Sequence, residues 1–170
     1  LTSLDKITFK SYGAENIKEC DASFDIVLMF KSLHHVPIEE MDSALREIYR
    51  VLKPGGCAYI SEPVFDGAFN DVMRVFHDEE FVRLSAFESI QRGISAQLFD
   101  LREEYFFRNR IRLESFEQYE RNVINVTHTD HSLDSTQLSE VKRRFDANES
   151  AEGFVFEIPN RVDLLEKVWQ

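Results

Sequence analysis

Glycine is scarce in this chain, with six in 170 residues, at 13, 55, 56, 67, 93 and 153, so no G-x-G occurs anywhere. That counts against a dinucleotide-binding oxidoreductase, whose fold brings backbone against a pyrophosphate through such a turn. Cysteine is rarer still, and Cys20 and Cys57 stand at no metal or redox spacing. Each reads as a small hydrophobe or an exposed thiol in a reducing cytoplasm rather than half of a disulfide. Long apolar runs are missing too. The longest, Ile26 to Phe30, falls far short of the ~20 residues a bilayer-crossing helix needs. The first ten residues carry Asp5, Lys6 and Lys10 and no apolar signal segment. Bases are outnumbered, 20 against 31 acids, and the net charge of −11 opposes nucleic acid and anionic membrane surfaces as partners.

What remains suits one domain, since 43% of the residues are hydrophobic and the mean hydropathy is −0.34. Ile7 to Tyr12 alternates and reads as a short strand ending at Gly13. Phe24 to Phe30 is apolar without alternation, as in a strand covered on both faces of a parallel sheet. Met41, Leu45, Ile48, Val51 and Leu52 build one stripe of a helix over 38–52, which Pro54, Gly55 and Gly56 then stop. Cys57 to Ser61 is the next strand, closed by Glu62-Pro63, and the three elements form a βαβ unit.

From Val64 to about Arg112 the pattern turns helical, with a break near Gly93. Nine of the 15 phenylalanines lie between Phe65 and Phe116, as core or as an apolar cover over a site. The expected layout is one domain over 1–170 with a helical cover at 64–114. Val123 to Val126 reads as a strand and Leu138 to Phe145 as a helix. Phe154 to Ile158 and Val162 to Leu165 read as paired strands joined through a turn at Pro159-Asn160.

Three segments carry the chemistry: Phe24 to Pro37 with its Ser32-Leu33-His34-His35 loop, Ala44 to Gly56 with Arg50-Val51-Leu52-Lys53-Pro54-Gly55-Gly56, and Tyr59 to Pro63. Together they resemble the second half of a class I S-adenosylmethionine-dependent methyltransferase domain of the small-molecule type, the terminal segment Ile158 to Lys167 included. The resemblance implies an α/β fold: part of a Rossmann-like, mostly parallel sheet in the family order 3-2-1-4-5-7-6, with an antiparallel hairpin at the C-terminal end and an inserted helical segment. It implies S-adenosylmethionine as cofactor and methyl transfer to a small nucleophile, chemistry that needs alignment and desolvation more than a nucleophilic residue.

By similarity Phe30, Lys31 and Ser32 run under the methionine part of the cofactor and His35 faces the site. The family's adenine-binding aspartate falls at Gly13, which leaves that contact to Ala14 and Glu15. Glu62 either acts as a base toward the acceptor or caps a turn; with His35 it makes the expected catalytic pair.

The family's first two strands, with their glycine-rich loop, have no counterpart, so the chain reads as the later two-thirds of a methyltransferase, with cofactor binding weakened accordingly. Phe24 to Phe30 then becomes an edge strand, expected to pair with Ile7 to Tyr12 or with a second chain in a homodimer. The alternative is a non-catalytic α/β module that self-associates through that edge. His34 and His35 make a poor metal pair, and His128, Asp130 and His131 read as polar contacts near a strand end, so no metal site is expected. Arg102, Arg108, Arg110 and Arg112 read as a solvated helix face, with the option of gripping a small carboxylate.

Overall fold

The computed structural model describes residues 7–125 and 132–168. Strand β1, Phe24–Phe30, leads through a rim loop into helix α1, Met41–Val51, and α1 returns directly into β2, Leu52–Pro63. β1 and β2 pair in parallel, from Ile26 opposite Cys57 to Phe30 opposite Ser61. The expected βαβ unit is therefore present. The α1 stripe does what its spacing predicts: Met41, Ala44, Leu45, Ile48 and Val51 are buried. At roughly 1.5–3 kcal/mol per large apolar side chain, this face is a major part of what holds helix to sheet.

After β2 come α2, Ala68–Met73, and α3, Glu80–Ser95. α3 runs through Gly93 without a break, because Gly93 lies close to Leu45 and Phe99 and lets α3 pack against α1. The helical reading ends there. Phe99–Leu113 is a long strand, β3. Its Glu and Arg residues suggest a helix, but they decorate an outer strand of the sheet, where charge blocks further pairing.

A helical turn, α4 at Phe116–Tyr119, continues into one π-helical turn through Ile124, so Val123 and Ile124 are not in the expected strand. α5, Ser135–Asp146, contains the predicted helix, started by an Asp134–Gln137 capping box. A two-residue strand, β4 at Glu149–Ser150, precedes β5, Gly153–Lys167.

β5 overturns the expected terminal hairpin: it is one continuous strand, antiparallel to β2 on one side and to β3 on the other. Pro159 is tolerated because its carbonyl, which accepts from Val64, points just past the end of the β2 ladder, where no strand requires its missing N–H. The antiparallel partner of β5 is β3. The sheet order is β1-β2-β5-β3, with β5 alone among these four running against the rest. This is the 4-5-7-6 portion of the family order.

Ile7 to Tyr12 forms no strand, and among the described residues β1 pairs only with β2. Nor is β1 covered on both faces. Met29 is buried under α1, whereas Ile26, Leu28 and Phe30 on the opposite face are 60%, 57% and 63% exposed. The aromatic-rich segment divides between roles. Phe99 and Phe116 are core, Phe81 and Phe106 are exposed, and Phe65 and Phe87 line a cavity. A second core of Tyr119, Phe145, Phe156 and their neighbours joins α2, α4 and α5 to β5.

Candidate functional site

The site lies at the carboxyl rim, where β1 and β2 end side by side. Lys31 leaves β1 in a left-handed conformation (φ 50°), and its N–H donates to the Ser61 carbonyl at 2.7 Å. The chain then turns over the end of β2, where Glu62 catches it. Glu62 Oε1 accepts from the Ser32 and Leu33 N–H groups at 3.0 and 2.8 Å, and Oε2 is hydrogen-bonded to His34 Nδ1. Glu62 thus caps the loop, one of the two roles its sequence position suggests.

The other wall is the segment 12–17. α1 holds it: Glu47 accepts from the Ile17 N–H at 3.0 Å, and Arg50 donates to the carbonyls of Ile17 and Glu19. Arg50 beside Glu47 holds the Glu47 carboxyl below its usual range. Between the two walls opens a cavity of about 430 Å³, lined by Ala14, Glu15, Ser32 and His35 over a floor that includes Val27 and Met29.

The structure therefore brings together four of the six residues expected at the cofactor. The other two flank them: Phe30 packs its ring on Tyr59 across the opposite sheet face, and Lys31 is exposed. At Gly13 a Cβ would collide with the Glu15 carboxylate. The Glu15 carboxylate thus occupies the space that a side chain at position 13 would take. Apolar walls with one carboxylate at one end and Ser32 at the other fit the adenine and methionine flanks of S-adenosylmethionine.

A second cavity, of about 220 Å³, lies on the far side of Glu62, between β2, α3 and β5. Glu62, Phe65, Arg83, Phe87 and Arg161 line it. Arg83 and Arg161 were outside the sequence expectation, since nothing local marks an arginine in a helix or a strand as cavity-facing. The arginines singled out by sequence sit elsewhere: Arg102, Arg108 and Arg110 are exposed on strand β3, not on a helix, and pair with Glu166, Glu157 and Glu152.

A polar chain links the two cavities. His34 bonds to Glu62 and approaches Glu79, and Glu79 also meets His77 and Arg83. Burial alone would raise the Glu79 carboxyl, but Arg83, His77 and His34 together bring it below its usual range. His34, His35 and Glu79 place donor atoms within 4.8 Å of one another, although hydrogen bonds already engage both His34 and Glu79. Burial, followed by the His34 charge, lowers the His35 pKa. His128, Asp130 and His131 lie outside the described residues.

Residues 2–60 match the model of a family described as a methyltransferase domain. Methyltransferase GfsG of Streptomyces halstedii is 33% identical over 87 residues, covering 51% of this chain and 30% of that protein. The ubiquinone/menaquinone biosynthesis C-methyltransferase UbiE of Brucella anthropi is 40% identical over 72 residues, 39% of this chain and 27% of that protein. The chain thus spans under a third of the length of these curated relatives. Among solved structures, the BH2331 protein of Bacillus halodurans superposes with a TM-score of 0.63 at 18% identity, over 96% of this chain and 79% of that one. YcgJ of Bacillus subtilis gives 0.60 at 17%, over 92% and 69%. Residues 2–60 are therefore similar to a methyltransferase domain, and the described chain shares the fold of these two solved structures.

Proposed function

We propose that this chain is the acceptor-side part of a methyltransferase that uses S-adenosylmethionine to methylate a small molecule. The observation that carries the reading is the pair of cavities on either side of Glu62, which we assign to the donor and to the acceptor. When bound, the cofactor supplies an electrophilic methyl carbon on a good leaving group. The chain's own residues then have three tasks. Glu15, Ala14, Ser32 and His35 bind and orient the donor. Phe65 and Phe87 exclude water from the acceptor. Glu62 fixes the rim loop between them.

Of the two roles open to Glu62, positioning is favoured over that of base, because three hydrogen bonds to the loop already occupy its oxygens. His35 stands on the donor side, where burial lowers its pKa and so favours the neutral ring beside a cationic donor. The segment 64–114 supplies the acceptor-side cover in one domain with the rest.

The net charge of −11 supports a small-molecule acceptor over nucleic acid or an anionic membrane, and the two free cysteines suit a reducing cytoplasm. No described helix is long and apolar enough to cross a membrane. The exposed face and open edge of β1 support pairing with a second copy, the basis of the alternative, non-catalytic reading. Isothermal titration with S-adenosylhomocysteine tests the proposal. Measurable binding that weakens in Glu15→Ala supports it, and no binding at millimolar ligand favours the alternative.

A further inference from the structure

We propose that the cavity between β2, α3 and β5 is a carboxylate pocket, and that the methyl acceptor carries a carboxylate on a flat apolar body. The acceptor assignment rests on the methyl-transfer reading above; the pocket itself does not. Arg83 and Arg161 both point into this cavity, each with a side chain only 9% exposed. Arg161 donates from Nε to Asp163 at 2.8 Å, and its two terminal nitrogens have no hydrogen bond among the described residues. Arg83 donates from its terminal nitrogens to Asn70 and Glu79, and its Nε is buried with no partner. The Arg83 Nε is sealed from the cavity, whereas the Arg161 terminal nitrogens are not among the fully buried unpaired atoms and offer two donors to a ligand with two acceptor oxygens.

The surroundings favour a flat monoanion. The Arg161 guanidinium stacks 3.8 Å from the centre of the Phe87 ring, and Arg83 lies 5.5 Å from that of Phe65. These contacts hold the guanidinium planes and offer ring surfaces to an apolar body. Except for Asp163, whose Oδ1 is buried without a partner, the neighbouring carboxylates are already supplied with donors. Glu62 takes two backbone N–H groups and His34, Glu79 takes His77 and Arg83, and Glu80 takes Arg74. They leave the free arginine donors to the ligand, yet their negative charge works against a dianion such as phosphate. The volume, about 220 Å³, lies below the ~300–1,000 Å³ of drug-sized sites and suits a single substituted ring.

Chemical-shift titration of the 170-residue chain with benzoate and with neutral, isosteric benzamide tests the pocket without cofactor. Benzoate is expected to bind at least about tenfold more tightly than benzamide. The double variant R161M/D163N removes the clamp without stranding a buried acid and should lose about tenfold in benzoate affinity. Arg83→Lys keeps the charge but loses the Asn70 and Glu79 bonds that hold the guanidinium beside Phe65, and should weaken benzoate independently. No benzoate binding, equal binding of the two probes, or unchanged benzoate affinity in both variants would overturn the pocket. S-adenosylhomocysteine is titrated separately: benzoate binding without it keeps the pocket and removes methyl transfer, whereas the reverse removes only the pocket.

Discussion

Glu62 and His34 are hydrogen-bonded to each other with both side chains only 4% exposed, although 28 positions separate them in the chain. The contact ties the end of β2 to the loop that leaves β1, so the two strands that define the rim cannot separate without breaking it. It also stands between the two cavities. The local order of the rim therefore depends on one carboxylate.

Removing that carboxylate should be costly. Glu62→Ala leaves two backbone N–H groups and an imidazole unpaired in a buried place, and a loss of about 3 kcal/mol is expected from such a break. Glu62→Gln keeps an acceptor for the Ser32 and Leu33 N–H groups, and should lose about 1 kcal/mol. Urea denaturation followed by circular dichroism gives both values. Equal effects from the two variants would show that charge, not hydrogen bonding to the loop, is what the site uses.

Glu15 is expected to stand in for the missing acid at position 13. Because Glu15 is surface-accessible and its carboxylate fills the space beside Gly13, Glu15→Ala should leave stability unchanged. Affinity for S-adenosylhomocysteine should fall about tenfold, the equivalent of one charge-assisted hydrogen bond. The double variant G13D/E15A should recover much of the loss, since it moves the acid to the vacated space. No recovery would mean that Glu15 does not contact the ligand.

The pair Gly55-Gly56 separates two reasons for glycine. Gly55 has φ +73° and open space around its Cα, so Gly55→Ala costs only the left-handed strain, about 1 kcal/mol. Gly56 has ordinary backbone angles, but a Cβ there would lie 2.9 Å from the carbonyl oxygens of Asp25 and Lys53. Backbone cannot move aside cheaply, so Gly56→Ala should cost about 2–3 kcal/mol. The ranking, read from denaturation midpoints, reverses if strain dominates contact.

That pair also shows how far the sequence could be read. Its motif, the α1 stripe and the existence of the 24–30 strand are local signals that the structure follows, although it leaves one face of that strand uncovered. Glu62 was legible as a rim residue because it directly follows the Tyr59-Ile60-Ser61 strand. β3 was not legible, because Glu and Arg on an outer strand carry the same composition as a solvated helix, and only its long pairing with β5 decides. Pro159-Asn160 read as a turn because the position of the β2 end, which excuses the proline, is a tertiary fact. Arg83 and Arg161 stayed hidden for the same reason: one is in a helix and one in a strand, and they share a cavity only once α3 lies over β5.

Acid should loosen the rim in two stages. The His35 pKa lies below its ordinary 6.5 in the fold, so the unfolded chain binds that proton first and stability declines as pH falls through 6.5. The Glu79 carboxyl lies below its ordinary 4.5, so its contribution is complete above 4.5 and is lost as pH falls further through the folded value. His35→Gln should flatten the first stage alone, and Glu79→Gln the second. Urea midpoints measured at several pH values between neutrality and the acid limit separate the two. A first stage that persists in His35→Gln would assign it to another histidine.

The uncovered face of β1 carries the last expectation. Ile26, Leu28 and Phe30 alternate outward with more than half of each side chain exposed, beside a strand edge that pairs with nothing among the described residues. A contiguous apolar face next to unpaired backbone favours association. The chain alone is therefore expected to elute larger than a monomer, with the larger form favoured at higher protein concentration. Ile26→Lys with Leu28→Lys should return it to monomer size, because two charges cannot be buried between paired sheets without several kcal/mol of desolvation. The same changes should not alter benzoate binding, since neither residue lines the acceptor cavity. A chain that is already monomeric at high concentration would show that the face is stable in water as it stands, and that β1 needs no covering partner.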